Sequence, residues 1–315
     1  MMVIMFQLIL KKLRMVADNI KKFLKQKINK ESNSDILDEL YKELYKISKT
    51  QEDYSFLFDK LIEKGSEEHN YSSLKLLCII SIKLSKEQEA YDQILEYSKN
   101  SPESITILSI LSIMETFDSI QASSNYFDLN RDISVFDIPK TRDVFSPLNI
   151  IKYIEDSAQE HYEPPEQSIS NGSVFYLKKQ NNKNLGEFVD QILRYFKKAQ
   201  QNIIKESPCE VLSSDLSKLA FWAVKIKSGG SMKPHFHPKG FLSGVLYLDV
   251  DGDRSGNFIL GSSPNEIEGN DKEKVIEVKN MRLIVFPSYY FHKTKFNSSN
   301  KNRFSMSFDL TSNPA

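Results

Sequence analysis

Apolar residues recur at helical spacing through the amino-terminal part of the chain. In "SDILDELYKELYKIS", the positions Ile36, Leu37, Leu40, Leu44 and Ile47 form one stripe with i, i+3, i+4 spacing, which predicts an amphipathic helix. Similar patterns follow in "DYSFLFDKLIEKG", "YSSLKLLCIISIKLS", "KEQEAYDQILEYSKN" and "SPESITILSILSIMETF". Because short polar joints separate these segments, antiparallel helix pairs are the simplest topology.

The helix pairs repeat at a spacing close to the ~34 residues of a tetratricopeptide repeat. Leu77, Ala90 and Pro102 also lie at spacings that such a repeat uses. Most other marker residues of the repeat are missing, so a plain helical bundle explains the pattern equally well. The region is therefore predicted to be all-α, either tetratricopeptide-like or a bundle.

The segment "DIPKTRDVFSPLNI" contains two prolines and interrupts the helical pattern, so it predicts a domain junction. A chain of 315 residues fits about two domains, and we place them at residues 1–132 and 133–315. Two further helices are predicted in "SPLNIIKYIEDSAQEHY" and "LGEFVDQILRYFKKAQQNIIKES". His161, at the polar end of the first of these helices, is interpreted as a surface residue.

Short β-branched and aromatic runs dominate the chain beyond Ser217. Gly, Asn, Asp, Ser and Pro separate them, as expected of antiparallel strands with tight turns. With "SVFYL" they make about eight strands, enough for a sandwich or a small closed barrel such as a jelly roll. The predicted fold class is α+β, with a helical region followed by a β core with flanking helices. The runs are "KLAFWAVKIKSGG", "GFLSGVLYLDVDGD", "GNFILGSS", "KVIEVKN", "MRLIVFPS", "FHKTKFNS" and "NRFSMSFDL".

Charge and cysteine content narrow the classes of partner. The 42 basic and 42 acidic residues balance, and no basic run dominates, which argues against a nucleic-acid partner. Cys78 and Cys209 are too few and too far apart for a disulfide framework, which favours the cytoplasm. The apolar run Val3–Leu10 is too short to span a bilayer. We interpret it as the start of an amphipathic helix, with a peripheral membrane helix as the alternative.

Two histidines lie one residue apart in "KPHFHPKGFLSGVLYLDV", at the start of a predicted strand. Side chains at i and i+2 of a strand share a face, with Cα atoms roughly 6.5–7 Å apart, so His235 and His237 can converge on one cation. His292 is the other histidine of the β region and also begins a predicted strand. Three neutral imidazoles leave positions open on a divalent ion, as catalysis requires. The competing interpretation is an ordinary exposed loop, since Pro234 and Pro238 flank the pair.

Arg303 is the next candidate site residue, as a possible ligand for a carboxylate. The stretch "HKTKFNSSNKNRF" predicts strand, polar turn and strand, which would place Arg303 level with His292 on a neighbouring strand. Ser305 would share the face of Arg303. A guanidinium with an adjacent hydroxyl suits bidentate binding of a carboxylate. An exposed arginine in a hairpin is the competing interpretation.

Four segments together resemble the core of the iron(II)- and 2-oxoglutarate-dependent oxygenases: "FWAVKIKSGGSMKPHFHPKGFLSGVLYL", "GNFILGSS", "LIVFPSYYFH" and "NRFSMSFDL". The likeness is greatest to the branch that carries H-x-H-P followed by Ser-Gly and an aromatic strand, and that often follows tetratricopeptide regions. "EQSISNGSVF" is similar to a segment upstream of that core. The resemblance spans Ser146 to Leu310 and implies a double-stranded β-helix, or jelly roll.

The resemblance implies that Fe(II) is held by His235, His237 and His292. His237 stands where most of the superfamily has a carboxylate. This departure leaves open whether His237 binds the metal or lies beside it, with Asp249, Asp251 or water supplying an oxygen. We expect three histidines, because neither aspartate shares the position at the start of a strand.

The resemblance also implies that Arg303, with Ser305, binds the distal carboxylate of 2-oxoglutarate. Tyr247 is a candidate for a further hydrogen bond to this co-substrate, although it is equally well a barrel aromatic. The implied activity is that of a dioxygenase, which uses O2 to hydroxylate a protein side chain or a small metabolite and releases succinate and CO2. A protein substrate would be recruited by the helical region.

Two other functions fit parts of the pattern. A cupin-type metalloprotein would share the barrel and the metal position, but a cupin usually has a glutamate where this chain has Phe241. A non-catalytic helical-repeat and β-barrel scaffold would bind a partner or a glycan, with the histidines incidental.

Overall fold

The structure is a computed structural model. It describes residues 2–64, 70–139, 146–164, 168–177, 183–205, 216–264, 267 and 272–312. His69, Cys209 and residues 140–145 of the predicted junction lie outside the described residues. The chain divides into two compact units, Met1–Ser101 and Pro102–Ala315.

The first unit is helical, as predicted. Its helices are α1 (Met2–Ile28), α2 (Ser34–Ile47), α3 (Gln51–Glu63), α4 (Tyr71–Leu84) and α5 (Glu87–Asn100). Polar caps explain three of the starts: the side chains of Asn33, Thr50 and Asn70 accept hydrogen bonds from the first-turn amides of α2, α3 and α4. None of the described helices is long and apolar enough to cross a membrane.

The second unit contains three helices and ten strands among its described residues. All eight predicted strands are present, and β1 and β2 are additional. The elements are α6 (Ile105–Met114), β1 (Ser134–Asp137), α7 (Pro147–Ser157), β2 (Glu160–Tyr162), β3 (Ile169–Tyr176), α8 (Lys183–Ile204), β4 (Leu216–Met232), β5 (Leu242–Asp249), β6 (Phe258–Leu260), β7 (Lys274–Ile276), β8 (Arg282–Pro287), β9 (His292–Thr294) and β10 (Arg303–Ser312).

Two boundaries differ from those predicted. The compact units divide after Ser101, whereas the sequence-based division placed the domains at residues 1–132 and 133–315. Helix α6 belongs with the second unit because it is buried on nearly all sides, and such a helix must lie inside a core. His161 is not at the end of a helix: α7 stops at Ser157, and His161 pairs with Val174 as part of β2.

The strands form two antiparallel sheets. The larger has the order β1-β8-β5-β10-β4-β3-β2, and the smaller has the order β7-β6-β9. Apolar residues of α7 and α8 join the larger sheet in one hydrophobic core. The Phe258 ring of the smaller sheet lies 5.3 Å from the Phe286 ring of the larger, so the two sheets also pack together.

Strand β10 separates the core from a polar cleft by simple alternation. Its even-numbered residues from Phe304 to Leu310 are apolar and belong to the core, where Phe308 meets Phe196 of α8 with ring centroids 6.1 Å apart. Its odd-numbered residues are polar, and three of them line the cleft: Arg303, Ser305 and Ser307. Because successive side chains of a strand point to opposite faces, this one strand supports the core and presents the site.

Candidate metal centre

The three histidines of the β region lie together. The candidate ligand atoms of His235, His237 and His292 are all within 4.8 Å of one another, and among the described residues no other group of three could hold a metal ion. A backbone bridge brings the two segments together: the His235 N–H donates to the His292 carbonyl (3.0 Å), and the His292 N–H donates to the His235 carbonyl (2.9 Å). The i, i+2 pair therefore meets its distant partner through strand pairing.

The hydrogen bonds of the rings leave the same nitrogen free in all three. Each Nδ1 lies within hydrogen-bond distance of an oxygen atom, which assigns the proton of a neutral ring to Nδ1 and the lone pair to Nε2. The acceptors are the Lys233 carbonyl for His235 (2.8 Å), the Tyr290 carbonyl for His292 (3.1 Å) and the Asp309 carboxylate for His237 (2.6 Å). Metal-binding imidazoles are held in this way in proteins.

Burial keeps two of these rings neutral. Loss of solvent, with the neighbouring His237 ring as a smaller effect, lowers the pKa of His235 to about 4. Loss of solvent, with the His235 and His237 rings adding to it, holds the pKa of His292 well below its ordinary value. A metal ligand must be unprotonated, so both rings are ready to bind at neutral pH.

The two aspartates considered as alternative ligands lie outside the histidine group. Asp249 ends β5 and pairs in the sheet with Phe304. The Asp251 carboxylate accepts hydrogen bonds from Arg254 (2.9 Å) and Ser299 (2.8 Å). Neither position offers an oxygen to the three rings.

Arg303 lies in the cleft, but not by the route predicted from the sequence. The expected hairpin between His292 and Arg303 is wrong: β9 pairs with β6 in the smaller sheet, and β10 pairs with β4 and β5 in the larger. The two strands belong to different sheets because the polar segment between them crosses from one sheet to the other. Thr294 of β9 nevertheless meets Arg303 across the cleft, where its hydroxyl accepts a hydrogen bond from Nη2 at 3.1 Å.

The Arg303 guanidinium is only 1% exposed, yet it is not fully satisfied. Its Nη1 donates to the carbonyls of Ser255 (2.9 Å) and Gly256 (3.0 Å). In the part of the chain that the structure describes, the Arg303 Nε and the Tyr247 hydroxyl have no hydrogen-bond partner, although both are buried. Leaving such a group unpaired costs about 1–3 kcal/mol, more for a charged one. Both donors therefore fit an anionic ligand in the cleft.

Tyr247 is a neutral donor. Burial raises its pKa to about 12, against a smaller opposing effect of the Arg303 charge. It lies opposite Ser305 in the pairing of β5 with β10, and both residues line the cleft with Arg303. The donor set is thus a guanidinium and a phenol with a serine beside them, which suits a carboxylate.

The sequence did not identify two further residues of this region. Trp222 lines the cleft, with its ring 5.5 Å from the His237 ring. Asp309 binds His237, and its signal was present in the sequence: in "RFSMSFDL" every second residue is polar, so Asp309 shares a face with Arg303.

The three convergent imidazoles form a group that could hold a metal ion, and three histidine ligands would leave coordination positions open on a divalent ion. Residues 220–309 match the model of a family described as "Putative 2OG-Fe(II) oxygenase". The protein is accordingly an oxidoreductase that uses Fe(II) and 2-oxoglutarate. The three histidines and the unpaired donors fit these two groups by the chemistry of their atoms.

Several solved structures are similar in fold. A prolyl-4-hydroxylase from Pseudomonas putida has 14% identity and a TM-score of 0.44, covering 58% of this chain and 94% of its own. HygX from Streptomyces hygroscopicus, with nickel and 2-oxoglutarate bound, has 10% identity and a TM-score of 0.42, covering 58% and 84%. A prolyl hydroxylase from Trichoplax adhaerens has 11% identity and a TM-score of 0.39, covering 68% and 92%. No curated protein matches the chain.

Proposed function

We propose that this protein hydroxylates a protein side chain or a small metabolite while it converts 2-oxoglutarate and O2 to succinate and CO2. In this proposal His235, His237 and His292 hold Fe(II). The observation that carries it is the convergence of these rings: their candidate ligand atoms lie within 4.8 Å of one another, and each Nδ1 lies within hydrogen-bond distance of an oxygen. Bound there, Fe(II) supplies the redox chemistry that couples O2 reduction to oxidation of a C–H bond.

The protein's own residues would position the co-substrate. Arg303, Ser305 and Tyr247 are proposed to bind the distal carboxylate of 2-oxoglutarate. Support comes from the two buried donors without partners, the Arg303 Nε and the Tyr247 hydroxyl. The Ser255 and Gly256 carbonyls already fix the guanidinium, so little ordering of this side chain is needed when an anion binds.

The activity is tested by adding Fe(II) and 2-oxoglutarate to the purified protein without oxygen. A weak visible charge-transfer band is expected, followed by succinate when oxygen is admitted. His292→Ala should lose both, because it removes one ring of the centre. His161→Ala is the matched control, since that histidine lies on β2 outside the group. A wild-type protein that gives neither band nor succinate would refute the proposal.

Two further proposals concern the type of β fold and the role of the helical unit. We propose that the two packed antiparallel sheets form a double-stranded β-helix, with the cleft between them.

We also propose that the helical unit is tetratricopeptide-like and recruits a protein substrate. In support, the pairs α2–α3 and α4–α5 begin at Ser34 and Tyr71, close to the ~34-residue period of that repeat. Leu77 and Ala90 are fully buried. Cysteine usage supports a cytoplasmic location.

Both alternative functions leave observations unexplained. A cupin would carry a carboxylate ligand at Phe241, which instead packs against the hydrophobic core. A non-catalytic scaffold gives no reason for a buried guanidinium and phenol without partners beside three convergent rings. Incubation with cell lysate and metabolite pools, followed by mass spectrometry for the gain of one oxygen atom, distinguishes protein from small-molecule substrates.

A further inference from the structure

We propose that Asp309 is a positioning residue of the metal centre. It acts through His237 and supplies, one hydrogen bond further out, the negative charge that a carboxylate ligand would otherwise bring to the ion. This inference rests on the proposed function, since it assumes a divalent metal at the three histidines.

The contacts of Asp309 form an ordered chain. Its Oδ1 accepts the Nδ1 proton of His237 (2.6 Å) and the hydroxyl proton of Ser243 (2.7 Å). Because Ser243 has a single proton and gives it to Asp309, the contact between the hydroxyls of Ser288 and Ser243 (2.8 Å) is donated by Ser288. Asp309 is thus held by three elements: its own strand β10, β5 through Ser243, and the His237 segment. It can fix both the tautomer and the tilt of the His237 ring.

Among the described residues, no lysine or arginine side chain pairs with the Asp309 carboxylate. The residue is 7% exposed, and among the described residues its ion-pair partner is His237 alone. A buried carboxylate without a Lys or Arg partner is costly. A divalent ion on Nε2 of His237 would lie across the ring from this carboxylate and would provide the missing positive charge.

The sequence also permits a close approach between Asp309 and the segment that follows His237. A Cβ at position 240 would lie 3.0 Å from both Cβ and Cγ of Asp309 and 2.7 Å from the Ser288 hydroxyl. Only glycine therefore allows the segment after His237 to close over Asp309 without displacing it. The glycine in "HFHPKG" is explained by this approach.

The three imidazole rings differ in the partners of their Nδ1 atoms. His235 and His292 donate to neutral backbone carbonyls, whereas His237 donates to a carboxylate. A carboxylate partner raises the basicity of the opposite nitrogen, so His237 is expected to be the strongest donor to the metal. This answers a question that the sequence raised, namely how a third imidazole can stand where relatives have a carboxylate.

The test is anaerobic titration of the full-length protein with Co(II), in the absence of 2-oxoglutarate, so that binding is measured without turnover. Asp309→Asn keeps the size and an acceptor oxygen but removes the charge. It should weaken Co(II) binding about 10–100-fold and shift the visible ligand-field bands. Asp309→Glu should recover part of the affinity. Glu115→Gln is the matched control, because Glu115 is also buried but accepts hydrogen bonds from Ser124 and Phe127.

Wild-type affinity and an unshifted spectrum in Asp309→Asn would overturn the inference and leave the proposed function intact. A wild-type protein that binds neither Co(II) nor Fe(II) would overturn both. If Asp309→Asn does not fold, Ser243→Ala is tested in its place. This substitution removes one hydrogen bond to Asp309 without removing its charge. A several-fold loss of Co(II) affinity is then expected, and no loss would refute the role of Asp309.

Discussion

The Arg303 side chain is held in place by hydrogen bonds and still has a donor left for a ligand. Two backbone carbonyls and the Thr294 hydroxyl hold its two terminal nitrogens, while Nε has no partner among the described residues. Its position between the two sheets, with Tyr247 beside it, makes it the cationic end of the cleft. The three histidines form a separate group. Metal binding and anion binding should therefore be separable by mutation.

Arg303→Ala is expected to raise the 2-oxoglutarate concentration required for succinate formation by about 10–100-fold. A hydrogen bond to a charged group contributes about 1.5–3 kcal/mol, and each 1.4 kcal/mol is a factor of ten. Steady-state kinetics with varied 2-oxoglutarate measures the effect. Co(II) affinity in the absence of 2-oxoglutarate should stay close to the wild-type value.

Arg303→Lys provides the control for charge, because it keeps the cation but not the planar group that binds carboxylates in a bidentate manner. Its 2-oxoglutarate requirement should lie between those of Arg303→Ala and the wild type. An unchanged 2-oxoglutarate requirement in folded Arg303→Ala would show that the co-substrate is bound elsewhere.

At the scale of elements, an ion-pair cluster joins α1 to α3. Asp53, in the first turn of α3, binds Lys21 (2.7 Å) and Lys25 (2.9 Å) of α1 and is 5% exposed. Burial by itself would raise the pKa of Asp53. The hydrogen bonds from Lys21, Lys25 and Thr50 outweigh it and lower the pKa to about 2.

The stability of the helical unit should therefore depend on pH through Asp53. Because the folded pKa lies below the unfolded value of about 3.9, the stabilisation is complete above pH ~4 and is lost as pH falls through ~2. Asp53→Asn should lower the unfolding free energy by about 2 kcal/mol at pH 7. The difference from the wild type should disappear near pH 2. Urea denaturation followed by helical circular dichroism measures it.

Glu39→Gln is the matched control for this prediction. Glu39 also pairs with a lysine, Lys42, but the pair is on the surface of α2, and exposed pairs of this kind contribute little. No measurable change is expected at either pH. A pH-independent difference between Asp53→Asn and the wild type would show that the substitution acts through packing and not through charge.

The elements show what sequence patterns can and cannot predict. Alternation in "RFSMSFDL" and its neighbours was enough to find the strands, because one face of each strand packs in a core. The pairing of β9 with β10 was predicted wrongly, because a polar turn has the same composition whether the chain folds back or crosses to another sheet. The short edge strands β1 and β2 were missed, because so few residues carry too little pattern.

At the scale of the whole molecule, the second unit contains every residue of the proposed centre and begins at Pro102. The segment before β1 is bound to the tyrosines that precede His292. The Asp128 N–H donates to the Tyr290 hydroxyl (2.8 Å), and that hydroxyl donates to the Asp132 carboxylate. Tyr290 in turn supplies the carbonyl that orients His292.

A fragment of residues 102–315 is accordingly expected to fold and to bind Fe(II) and 2-oxoglutarate. A fragment of residues 133–315, cut where the sequence placed the junction, loses α6 with the buried Ile105 and Leu108. Each such side chain contributes about 1.5–3 kcal/mol by burial. The shorter fragment should melt at a lower temperature and bind Co(II) more weakly. Equal melting temperatures and affinities for the two fragments would support the boundary at 132.

The sequence by itself determined the α+β class, the helices, the eight main strands and the identity of the candidate ligands. These follow from local periodicity and from rare residue types in a recognisable order. Only the tertiary structure decided where the units divide, that β9 and β10 lie in different sheets, and that Asp309 meets His237. The physical reason is that such contacts join residues distant in the chain, here 72 positions apart for His237 and Asp309, and local patterns carry no information on which distant faces will pair.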